Sequence, residues 1–137
     1  MPDYALSATL PTDFTKTVEQ TKASLAQQGF GVLTEIDVAA TMKAKLDKDL
    51  PPYLILGACN PPLAHQALTV EPSIGLLLPC NVVIRFIDDT HTLVEAMDPT
   101  VMVTTTSNPG LAPIAEQART RLCDALAQLA ATTNASP

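Results

Sequence analysis

The chain has 137 residues, a formal net charge of −6 and 47% hydrophobic residues, a length that points to one domain burying about two-thirds of its unfolded surface. With eight basic residues, no Trp, three Phe and two Tyr, it offers neither a basic stripe nor a stacking platform, which excludes nucleic acid as an expected partner. Its longest apolar stretch, Ile74 to Ile87, is broken by Pro79, Asn81 and Arg85, so no membrane span is expected. Met1 to Ser7 lacks the regions of a signal peptide, and three cysteines make no disulfide framework, so the expectation is a cytoplasmic protein with reduced thiols.

Tyr4 to Leu10 alternates loosely and ends at Pro11, the pattern of an edge strand. It carries no charge and no internal proline, the usual protections of an exposed edge, and therefore predicts a homo-oligomer, most simply a dimer. Thr12 or Asp13 caps a helix with Phe14, Val18, Thr21 and Leu25 on one face, and Gly29 can take the positive φ beyond its end. Phe30 to Ile36 follows as a strand. Asp37 caps a shorter helix, with Met42 and Leu46 inward and Lys43, Lys45 and Lys48 toward water, which Asp47-Lys48-Asp49-Leu50-Pro51-Pro52 stops.

Tyr53 to Ala58 is apolar without alternation and reads as a strand central in its sheet or covered on both faces. Asn60 as N-cap and Pro61 at the first helical position start a short helix through Leu68, ended by Glu71-Pro72-Ser73. Ile74 to Leu78 leads into the strand Val82 to Ile87, and Asp88-Asp89-Thr90 turns it back into Leu93 to Met97 as an antiparallel hairpin. A polar loop, Thr104 to Ser107, precedes the last helix, which Asn108 and Pro109 start. Leu111, Ile114, Ala115, Ala118, Leu122, Leu126 and Leu129 hold its apolar face. The order β-α-β-α-β-α-β-β-α, with no repeat or linker across residues 1–137, predicts a single α+β domain with helices on a mixed or antiparallel sheet.

No phosphate loop, catalytic triad or metal motif stands out, and no cofactor is expected. The chemistry concentrates at two cysteine–asparagine steps, Cys59-Asn60 and Cys80-Asn81, each where an apolar run meets a turn. Cys59 precedes the N-cap of a helix, where the dipole favours a negative charge by about 0.3–1 kcal/mol. Pro61 and Pro62 remove the first two N–H groups an anion would use. If the strands ending at Cys59 and starting after Cys80 pair antiparallel, the thiols meet; a parallel pairing separates them. A close pair could be a redox couple, a soft-metal site with Met97 or Met102, or a relay for sulfur species. His65, six residues after Cys59, is the candidate base for a thiol nucleophile. His91 reads as a loop residue, Cys123 as packing at a helix flank, and Arg85 as the cross-strand partner of Glu95.

Three stretches, Gly29-Phe30-Gly31-Val32, Tyr53-Leu54-Ile55-Leu56-Gly57-Ala58-Cys59-Asn60-Pro61 and Leu76-Leu77-Leu78-Pro79-Cys80-Asn81-Val82, together with Met97-Asp98-Pro99 and Met102, resemble the domain-of-unknown-function-302 family. The similarity runs over roughly Phe30 to Met102. It implies a compact α+β domain and places Cys59 and Cys80 in motif positions, and it implies no established activity.

Three functions remain open on these residues. The first is a binding protein with a small pocket near Cys59, Asn60, Cys80 and Asn81 for a small ligand, a sulfur species or a soft metal. The second is a thiol enzyme with Cys59 as nucleophile and His65 as base. The third is a structural homodimer whose cysteines only pack.

Overall fold

Asp13 starts the first helix by accepting the Lys16 N–H at 2.8 Å, and Gly29, at φ 83°, ends the turn that follows it. The computed structural model describes residues 2–135, with side chains through 133. Its strands β1 (Ala5–Leu10), β2 (Gly31–Asp37), β3 (Tyr53–Cys59), β4 (Cys80–Asp88) and β5 (His91–Met97) form one sheet in the order β1-β5-β4-β3-β2. Every neighbouring pair is antiparallel. The helices are α1 (Phe14–Gln27), α2 (Val38–Leu46), α3 (Pro61–Val70), α4 (Val101–Thr106) and α5 (Ala112–Ala135). This is the α+β fold expected, with the sheet antiparallel throughout.

Alternation decides which face of the sheet is covered. Leu10, Leu56, Ala58, Val82, Ile84, Val94 and Ala96 point to one side and are buried with Val18 and Leu25 of α1 and Leu122, Ala125 and Leu129 of α5. The other face carries no helix of its own in this core, an arrangement open to antiparallel sheets. On that face Arg85 Nε donates to Glu95 Oε1 at 3.0 Å, the cross-strand pair expected from the sequence.

Four local expectations are corrected. The segment leading into β4 is a 3-10 helix, Pro72–Leu77. Ile74 is buried and Leu76 is 88% exposed, while Leu77 packs inward, a three-residue spacing that suits this helix and not a strand. The threonine run is not a loop: Asp98 Oδ1 accepts the Thr100 N–H and hydroxyl at 3.0 and 2.8 Å, α4 follows, and Thr106 donates its hydroxyl to the Met102 carbonyl. Burial of Met102 outweighs the weak helix propensity of threonine. Asn108 caps only a 3-10 turn, Pro109–Leu111, and α5 begins after it at Ala112. Leu46, expected inward, is 63% exposed, because α2 leans beside β3 and buries none of its residues.

Candidate apolar cavity at the β3–α3 junction

Antiparallel pairing of β3 with β4 sets Ala58 opposite Cys80, and so brings the two cysteine–asparagine steps to one end of the sheet. There the chain turns from β3 into α3. Asn60 holds that turn: its Oδ1 accepts the Leu63 N–H at 3.3 Å, and Pro61 follows at the first helical position. Gly57 permits the close approach of three segments. A Cβ there would overlap Thr34 Oγ1 of β2 and lie 2.8 Å from the ring of Pro79. The register of β2 against β3 slips between Val32 and Thr34, which leaves Leu33 as the extra residue of a bulge, a device that re-aims a side chain.

Between this sheet end and the helices lies a cavity of about 300 Å³. Phe30, Ala58, Cys59, Asn60 and Cys80 form its sheet side; Leu63, Ala64, Ala67 and Leu68 come from α3; Met102, Ile114 and Ala118 come from α4 and α5; Leu33, Leu78 and Pro79 complete the lining. Leu33 and Leu68 are 67% and 43% exposed and stand at the mouth. Facing alanines leave the room that larger side chains would fill. None of the lining residues is charged.

The two thiols differ in environment. Cys59 is half-buried, whereas Cys80 is buried. Burial, and then the proximity of Cys59, push the Cys80 thiol up to about 11, so it stays protonated at neutral pH. Asn60 is 8% exposed. Among the described residues its Nδ2 makes no hydrogen bond, and it rests where Gly29 lacks a Cβ.

Of the residues singled out from the sequence, Cys59, Asn60, Cys80 and Met102 come together. Asn81 does not join them: it follows Cys80 on β4, points to the opposite face and is exposed. Met97 packs against the neighbouring apolar cluster without lining the cavity. His65 is exposed on α3 and does not line the cavity. His91 caps its own turn through Asp88 at 3.1 Å and Thr90 at 2.9 Å. Cys123 lies half-buried on α5, outside the cavity. The soft donors that could meet a metal are Cys59, Cys80 and Met102. No group of three or more His, Cys, Asp or Glu side chains gathers for a metal among the described residues.

The Leu33 bulge and the alanines of α3 were not singled out from the sequence. Ala64 and Ala67, three apart beside Leu63, were the available signal. A polar support was missed as well: Arg119 of α5 donates from Nε to Asp98 Oδ2 at 3.2 Å. Desolvation raises the pKa of the Asp98 carboxyl, but the Thr100 N–H and hydroxyl and the Arg119 guanidinium outweigh it and hold the carboxyl below its ordinary range. The pair ties the end of β5 to the helix that walls the cavity.

Fold and cavity define a small α+β domain with an antiparallel sheet backed on one face and an apolar hollow at the sheet end. The family model described as domain of unknown function DUF302 matches residues 6–129, and the chain belongs to this family. The fold is similar to that in a crystal structure of an uncharacterized conserved DUF302 protein from Bacillus stearothermophilus, with 30% identity, a TM-score of 0.86, and 93% of this chain and 99% of that chain covered. No curated protein matches the chain.

Proposed function

We propose that this protein binds a small, uncharged, mainly apolar molecule in the cavity beside Cys59, Asn60 and Cys80. The observation that carries this reading is a hollow of about 300 Å³ with 15 lining residues, none of them charged. That volume lies at the lower end of the usual range for ligand sites, about 300–1,000 Å³. A charged molecule entering it would lose its hydration with no ion to replace it. An uncharged one gains apolar contact and keeps Asn60 and the two thiols as polar neighbours.

Thermal unfolding with octanol and with octanoate tests the reading. Octanol is expected to raise the midpoint in wild type, octanoate to raise it less, and Ala118→Leu, which fills the hollow, to abolish the octanol shift. An equal response to both, or a shift that survives Ala118→Leu, overturns it.

A thiol enzyme using Cys59 and His65 finds less support, because His65 faces solvent. A soft metal bound there would have to displace the proton that burial holds on Cys80. The edge position of β1, uncharged and paired with β5 without a register break, supports a homodimer formed by β1 against β1. Three free thiols accord with a reducing, cytoplasmic setting, and no helix among the described residues is long and apolar enough to cross a membrane.

A further inference from the structure

We propose that the ligand of this cavity is an uncharged hydrophobic α,β-unsaturated carbonyl compound, held as a thioether on Cys59. The proposal rests on the binding reading above and names the chemical class that the lining selects. Cys59 is the half-buried thiol of the pair and lines the cavity. Two further polar side chains, Asn60 and Cys80, each 8% exposed, line the same apolar space. Asn60 uses its Oδ1 on the Leu63 N–H, and its Nδ2 makes no hydrogen bond among the described residues, which leaves this amide a donor for a molecule in the cavity.

The lining also limits the reaction. A displacement at Cys59 would release an anion, and no lining residue is an acid or a cation that could receive it. Conjugate addition releases nothing. The Cys59 sulfur bonds to the β-carbon, the π electrons of the carbon–carbon double bond shift toward the carbonyl, and the proton from the thiol, exchanged through water at the mouth, ends on the α-carbon. The sum is addition of S–H across the double bond. No oxidant or reductant is needed, and elimination reverses it. Asn60 carries the only side-chain N–H donor in the lining, next in the chain to the reacting sulfur, and its Nδ2 donates to the carbonyl oxygen as negative charge builds there. The Cys80 thiol, protonated at neutral pH, is a second, weaker donor and not a competing nucleophile. Leu33 and Leu68 at the mouth meet the hydrocarbon body of the ligand.

The test uses the native protein with trans-2-nonenal as probe and nonanol as its saturated, unreactive counterpart, read by intact mass and peptide mapping. A single adduct is expected at Cys59, formed at least about tenfold faster than the adduct of glutathione under the same conditions. Asn60→Asp keeps the helix cap and removes Nδ2, and is expected to slow addition by about tenfold or more; Ala118→Leu slows it by excluding the probe. Modification that favours Cys80 or Cys123, a rate no greater than that of glutathione, or indifference to Asn60→Asp overturns the proposal. Nonanol separates the two readings. If nonanol binds and nonenal does not react at Cys59, the covalent step falls and the cavity reading stands; if nonanol does not bind, both fall.

Discussion

Two parts of α5 serve two different interiors. Its later part, from Leu122 on, sends Leu122, Ala125 and Leu129 beneath the sheet, where α1 comes so close that Ser24 Oγ donates to the Ala125 carbonyl at 2.6 Å, and the void there is about 10 Å³. Its earlier part sends Ile114 and Ala118 toward Leu63, Ala67, Ile74 and Met102, a cluster that borders the hollow of about 300 Å³. Alanines occupy both parts. At Ala125 the small side chain admits the backbone of another helix, whereas at Ala118 it lies across from the small residues Ala64 and Ala67 of α3, and no element moves in to fill the gap. A cavity therefore arises here from side-chain volume withheld on facing helices, inside an otherwise close-packed fold.

Truncation in the solid part gives the largest expected effect. Leu122→Ala removes a side chain that is 1% exposed and should cost about 2–5 kcal/mol in urea unfolding. Ile114→Ala should cost clearly less, because a side chain bordering a hollow already has fewer partner atoms on one side. Equal losses would mean that the hollow is collapsed in solution.

Much of this division could not be read before the structure. The β4–β5 hairpin, α1 and the apolar face of α5 follow from local signals, since alternation, caps and three-to-four-residue spacing are written in neighbouring residues. The Cys59–Cys80 approach was legible only as a condition on strand direction, which depends on how distant segments pair. The hollow depends on the summed volumes of α3, α4, α5 and the sheet end, and no single stretch records that sum. For the same reason α2 misled: its Leu46 has the spacing of an inward residue, but no described residue covers it.

Alkaline titration probes the wall of the hollow next. The folded-state value for Cys80 is about 11, against an ordinary 9.0. Below about pH 9 the thiol is protonated in both states, so its burial has no pH-dependent effect. Between about 9 and 11 the unfolded chain ionises while the folded one does not, so stability falls as pH rises, by about 2–3 kcal/mol over the window. Cys80→Ala should remove this part of the alkaline loss, and Cys123→Ala, outside the hollow, should leave it in place. A loss unchanged by Cys80→Ala would show that this thiol is not sealed in the wall.

The smallest expected effect is the most discriminating, because its sign differs between the two parts of one helix. Ala118 and Ala125 lie seven residues apart, two turns, and share a face of α5. Leucine at Ala125 must displace α1 from its seat against the Ala125 carbonyl, and overpacking of this kind costs about 1–3 kcal/mol. Leucine at Ala118 places the same added carbons in the hollow, and cavity filling is expected to stabilise by about 0.5–2 kcal/mol. Paired urea unfolding curves of Ala118→Leu and Ala125→Leu read this directly. Opposite signs confirm that close packing and withheld volume coexist along one helix. Two losses of similar size would mean that α3 and α5 already meet in solution, and would remove the space on which ligand binding depends.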